Sequence, residues 1–196
     1  FWAFGAFTPA AVGNNVKNSA MADWRYLTAP EIATAQLIFG NALDYTRIKI
    51  YRGIPFLPWL DCAVSPNGHI YFPKHSCPTD FTQAPAYYLV WLMHELTHVW
   101  QWQQGFHTWL GGLLLAGQGG YYRRRAYRYT LSPARPFAEY NMEQQAEVVA
   151  HYFAARYCDW AQYTCQLNCL HTVMQPFLSQ PANPALLPRY LGKPAK

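Results

Sequence analysis

Residues 94–101 read HELTHVWQ, in the middle of the longest apolar stretch of the chain. Two histidines bracket a glutamate that ordinarily seeks water, yet their neighbours are Leu, Val and Trp. The stretch from Ala84 to Gln104 reads as a helix stopped by Gly105, with Leu89, Leu92, Leu96 and Val99 on its core side. Helical positions i and i+4 lie about 40° apart and one turn along the axis. His94 and His98 can therefore offer imidazole nitrogens to one ion, which zinc accepts at about 2.0–2.1 Å. Glu95 lies roughly 100° round from His94, so it borders that ion without ligating it. From there it can hold and deprotonate water, the HExxH arrangement of metallopeptidases. A pair of histidines merely satisfied at the helix surface is the plain alternative, and it leaves the apolar setting unexplained.

A catalytic zinc needs a third protein ligand and an open position. The extended layout HExxHxxGxxH fails, because Gln101 stands where Gly is needed and Gln104 where His is needed. His107 is displaced from that slot. The other source is a later helix, expected after Pro136, in which Met142, Ala146, Val149, Ala150, Phe153, Ala154 and Tyr157 recur at core spacing. Glu143 and Glu147 flank this stripe one turn apart, with Glu139 a turn earlier. We take Glu143 as the third ligand and Glu147 as the group that holds a ligating histidine by its other nitrogen. A solvated helix face is the plain reading of this pair. His151 lies about 12 Å along the axis from Glu143, too far to share its ion.

Around these helices the organisation is α+β. Thr28 to Glu31 spells a capping box that opens a helix running to about Phe39. Thr46 to Ile54 alternates as a strand. Asn67-Gly68 signals a hairpin between Cys62–Val64 and His69–Phe72. Five glycines in 109–120 suggest a mobile flap, residues 121–131 a strand or extended loop, and the stretch to Phe177 further helix. One domain over 1–196 is expected, with a lead-in over about 1–25 and an extended Pro-rich tail at 180–196. Hydrophobic residues make up 52% and charged residues 13%, which excludes a disordered chain. The net charge of +5 permits weak attraction to acidic surfaces and names no partner. No window reaches the roughly 20 apolar residues of a membrane span. FWAFGAF at the start lacks a basic region and a cleavage site, and no Met precedes it, so a module of a longer protein is expected rather than a signal peptide. Cys62, Cys77, Cys158, Cys165 and Cys169 form no CxxC pair. The last three share a face if one helix carries them, either as reduced thiols or as disulfides.

HELTHVWQWQQG at 94–105 followed by EYNMEQQAE at 139–147, with SPNGHIYFP at 65–73, resembles a bacterial family of zinc metallopeptidase toxin domains. These occur as C-terminal extensions of VgrG-type spike proteins of type VI secretion, with relatives in Rhs-type toxins. The resemblance covers roughly the central half of the chain. It implies a zincin-like fold, mainly helical with a small sheet or hairpin beside the HExxH helix. It implies one zinc on His94, His98 and Glu143, with Glu95 as catalytic base. It further implies a carrier spike in cis, a cognate immunity protein, and action on a protein or peptide in the periplasm of a target bacterium.

In such a site Glu95 takes a proton from water and returns it to the leaving amine. Tyr127, Tyr129, Tyr140, His107 and His151 are the candidates to stabilise the oxyanion. The His69–Phe72 strand is the candidate edge for substrate pairing, and residues 111–120 the candidate lid. Competing readings are a zinc-stabilised binding module without turnover, a hydrolase of another amide such as peptidoglycan, and a single-strand nucleic-acid binder using the Tyr/Arg run at 121–129. No stable nucleic-acid partner is expected.

Overall fold

The computed structural model describes residues 24–55 and 59–189. They form a mixed α+β fold, mostly helical, with one three-stranded sheet. No helix among them is long and apolar enough to cross a membrane. Most of the expected lead-in lies outside the described residues, and at its end Trp24–Tyr26 is strand β1.

Strand β1 pairs antiparallel with β2, Lys49–Arg52, and β2 pairs parallel with β3, Ile70–Phe72. Tyr51 and Tyr71 face each other in register and stack at 4.6 Å. Strand β2 is shorter than its alternating pattern. Tyr45–Arg47 is a 3-10 turn capped by Asp44, and it buries Tyr45 with its hydroxyl on the Gly40 carbonyl. Helix α1, Ala29–Phe39, starts at the expected capping box. Glu31 does more than cap. It is fully buried, binds Arg25 through both oxygens at 2.8 Å, and accepts the amides of Thr28 and Phe81. One carboxylate thus ties β1, α1 and the approach to the next helix together.

The expected hairpin shrinks to a single antiparallel bridge, Val64 to Tyr71. Two contacts pull residues 65–68 away from β3. The Gly68 backbone, at φ +80°, lies against Trp102 so closely that a Cβ would come within 2.6 Å of the indole. The Thr108 hydroxyl engages the carbonyls of Ser65 and Pro66.

Helix α2, Ala86–Gln103, is buried continuously from Leu92 to Gln101 and ends before Gly105. Helix α3, Thr108–Gly117, replaces the expected mobile flap. Its glycines serve packing: Gly111 sits against Met142 Sδ, where a Cβ would approach to 2.6 Å. The run 121–131 is no strand. Tyr122–Arg124 is a 3-10 turn, with Arg123 and Arg124 in the left-handed region at φ 51° and 58°.

Helix α4, Met142–Tyr157, begins with its own capping box, Asn141 and Gln144. Glu139 is not on it but in a preceding 3-10 turn, Phe137–Glu139. Tyr157, expected in the core, is exposed, while the other six stripe residues are buried. The chain breaks at Asp159, φ 50°, before the short α5, Ala161–Thr164, and α6, Leu167–Ser179. That break removes Cys158 from any face shared with Cys165 and Cys169, and all five cysteines are free thiols. Helix α6 packs on α4 with Leu170, Val173 and Met174 buried, and its Phe177 ring meets Phe39, Trp100 and Phe137. The described part of the tail, to residue 189, is not simply extended either, and the rest lies outside the described residues. Pro184–Leu186 forms a 3-10 turn, Leu186 is buried, and the Pro181 carbonyl accepts the Trp100 indole N–H at 2.6 Å.

Candidate metal centre

Helices α2 and α4 pack antiparallel, since His98 faces Glu143 while His94 reaches back to Glu147. This crossing brings the Nε2 atoms of His94 and His98 and one oxygen of Glu143 into a triangle. Its edges are 3.3 Å between the histidines, 3.2 Å from His98 to Glu143 Oε2 and 3.4 Å from His94 to the same oxygen. Donors at about 2.0–2.1 Å from a tetrahedral zinc stand about 3.3–3.4 Å apart. The donor set, two imidazoles and a carboxylate, also suits that ion. The residues present therefore fit the group. The electrostatics agree. Burial disfavours charge on His98, but Glu143 beside it overcomes this and pushes its pKa up to about 9. Burial likewise opposes the Glu143 carboxylate, and the two histidines override it and hold it well below the usual range. The cluster asks for positive charge among its three donors.

A second layer fixes the donors' orientation. Gln101 lies at i+3 from His98, and its Oε1 is 2.9 Å from His98 Nδ1. Its amide nitrogen donates to the Met142 carbonyl and to Gln145 Oε1. The oxygen must then accept from Nδ1–H, so that in the neutral ring the lone pair sits on Nε2 and is directed at the triangle. Gln145 in turn donates to the carbonyls of Phe137 and Leu186. His94 Nδ1 lies 3.5 Å from Glu147 Oε1, the expected partner. Glu143 Oε1 accepts the Tyr121 hydroxyl at 2.8 Å. Glu95 is buried, and its Oε2 accepts from Ser65 Oγ at 2.8 Å.

The donors open on a cavity of about 750 Å³ walled by residues 60–66, α3 and Tyr127. Of the five oxyanion candidates only Tyr127 lines it, its ring 6.0 Å from that of His94. Burial, and then Glu143, push its phenol pKa up, so the hydroxyl keeps its proton. The other four stand elsewhere. His107 precedes α3 with its ring edge-on to Trp102. Tyr140 is buried against the backbone of Thr130 and Ser132. Tyr129 bonds His151 at 2.7 Å. His151 stands behind Glu147, at ion-pair distance, 3.0 Å, but off the hydrogen-bond direction. Strand β3 is not in the walls either. Val64 occupies its outer edge at Tyr71, and the rim segment 60–66 fronts the cavity instead.

Gln101 had a legible signal, its helical spacing from His98, yet in the motif it registers only as a mismatch. Ser65 and Tyr121 are 30 and 22 residues from their partners and carry no local signal.

An α+β domain with a candidate metal site, built on an HExxH helix and a glutamate helix, is the class that this fold and site define. No protein-family model matches the chain. Over 139 residues, 66% of the chain, it is 34% identical to the type VI secretion system spike protein VgrG2b of Pseudomonas aeruginosa strain PAO1, and it spans only 13% of that protein. The effector domain of VgrG2b matches it in structure with a TM-score of 0.63 and 31% identity, covering 74% of this chain and 83% of that domain. The chain belongs to the family of this VgrG2b effector domain.

Proposed function

We propose that the chain is a zinc-dependent peptidase with a zincin-like arrangement, the toxic effector domain of a type VI secretion spike. The observation that carries the reading is the donor triangle of His94, His98 and Glu143 with Glu95 beside it in one cavity. A zinc ion held there would polarise a substrate carbonyl and lower the pKa of water toward about 7. Gln101 keeps the Nε2 lone pair of His98 available, and Tyr121 occupies the oxygen of Glu143 turned away from the histidines. Ser65 orients the Glu95 carboxylate, which takes a proton from water and gives it to the departing amine. Tyr127 is the donor for the developing oxyanion. A purely structural ion has no use for a positioned base, so Glu95 favours turnover over a binding module.

The family supports delivery in cis with a carrier spike. The target-cell periplasm as site of action, and a cognate immunity protein that covers the cavity, complete the proposal. Residues 1–196 act as one unit in it.

Elemental analysis of the purified chain should find one zinc, lost in His98→Ala. Glu95→Gln should keep the zinc and lose about 10²–10⁴-fold of peptide hydrolysis. Full activity in Glu95→Gln, or no metal in the native chain, would sink the reading.

A further inference from the structure

The cavity extends past the donors at both ends. Because α2 and α4 run antiparallel, Trp91, a turn before His94, and Ala150, a turn after Glu147, lie at one end; Val64 of the rim pairs there with Tyr71, next to Phe72 whose ring packs on Trp91, and Ala63 adjoins it. At the other end stand Met142 and the α3 residues Trp109 and Gly112. Small residues make the room: beyond Gly112 a Cβ would meet only the Tyr121 hydroxyl, at 3.4 Å. Charge is confined. Among the described residues, the charged wall residues beyond the donors are Glu95, Glu147, Arg124 and Asp61. Glu95 accepts from Ser65, and Glu147 lies against His94 and His151. Arg124 lies 3.8 Å from Glu147 and over the Tyr127 ring. Asp61 is at the mouth, its side chain 86% exposed and 3.5 Å from His75. Arg124 and Asp61 are half-exposed and exposed, so neither end holds a buried charge without a partner to receive a charged side chain, and burying one there unpaired is costly.

We infer that the site selects a peptide with bulky apolar side chains flanking the bond it cleaves, one at the Trp91–Ala63 end and one at the Trp109–Gly112 end. This rests on the peptidase reading and adds the substrate class to it. Single apolar contacts of this kind discriminate by about 10–200-fold.

The zinc-loaded chain is incubated with a peptide library of unbiased sequence, and the cut sites are read by mass spectrometry. Leu, Ile, Phe, Met, Tyr or Trp should be enriched on both sides of the cut and charged residues depleted. Gly112→Leu and Ala63→Leu, each filling one end, should lower the preference for bulky over small residues by about tenfold, each on one side of the cut only. A readout independent of turnover is Trp fluorescence of Glu95→Gln, since Trp91 and Trp109 line the two ends. Peptides with paired Phe or Leu should bind it at least tenfold more tightly than peptides with paired Lys or Asp. Cleavage without apolar enrichment, or with enrichment that both substitutions leave unchanged, overturns the inference and leaves the peptidase intact. No cleavage of any peptide by zinc-loaded chain overturns both.

Discussion

Gln101 is the residue whose role differs most from its appearance in the sequence. In the motif it is a glutamine where another zinc layout wants glycine. In the structure it is fully buried and sets the tautomer of His98 while bridging to α4. Replacing it by Leu removes the acceptor of Nδ1–H and strands Gln145 Oε1. Gln101→Leu should weaken zinc binding about 10–100-fold, measured by competition with a chelator. An unchanged affinity would show that the histidine needs no orienting partner. At this scale helical spacing already places His94 beside His98 and Glu143 beside Glu147, because a helix converts a separation of four into one face. It was silent on Ser65 and Tyr121, whose partners meet them only through tertiary folding.

Among the elements, α3 was the one least legible. Five glycines in 109–120 argue against a helix on propensity, since each costs about 1 kcal/mol relative to alanine. Tertiary contact overrides that cost. Gly111 lets α3 approach the start of α4, and Thr108 ties its first turn to the rim. Gly111→Val would drive two methyl groups into Met142 and Phe106. It should destabilise the fold by about 1–3 kcal/mol, read from urea unfolding. An unaffected midpoint would mean that α3 is loosely held after all. Helix α1 was legible from its capping box, and α2 and α4 from their apolar spacing. The hairpin was half legible. Asn67-Gly68 does mark a bend, but a local signal cannot know that Trp102 and Thr108 will draw the loop onto the helices.

For the molecule as a whole, Glu31 is the fastening point of the sheet side. With both oxygens on Arg25 and two backbone amides besides, its loss leaves a largely buried guanidinium without its carboxylate. Glu31→Ala should cost about 3–5 kcal/mol of unfolding free energy. A loss under 1 kcal/mol would indicate that the sheet is anchored mainly by its apolar face. The other side is fastened by the tail, and here the site depends on residues remote from any donor. The Leu186 carbonyl holds Gln145, Gln145 holds Gln101, and Gln101 holds His98. A chain shortened to residue 180 keeps every donor and should still lose zinc affinity, which equilibrium dialysis would reveal. The same linkage sets a sequence in time. A ribosome that has completed α4 has already made every candidate donor, but the Leu186 carbonyl that braces Gln145 follows only later. The clamp is thus a late event in synthesis relative to the donors themselves, because its last brace is encoded far beyond them.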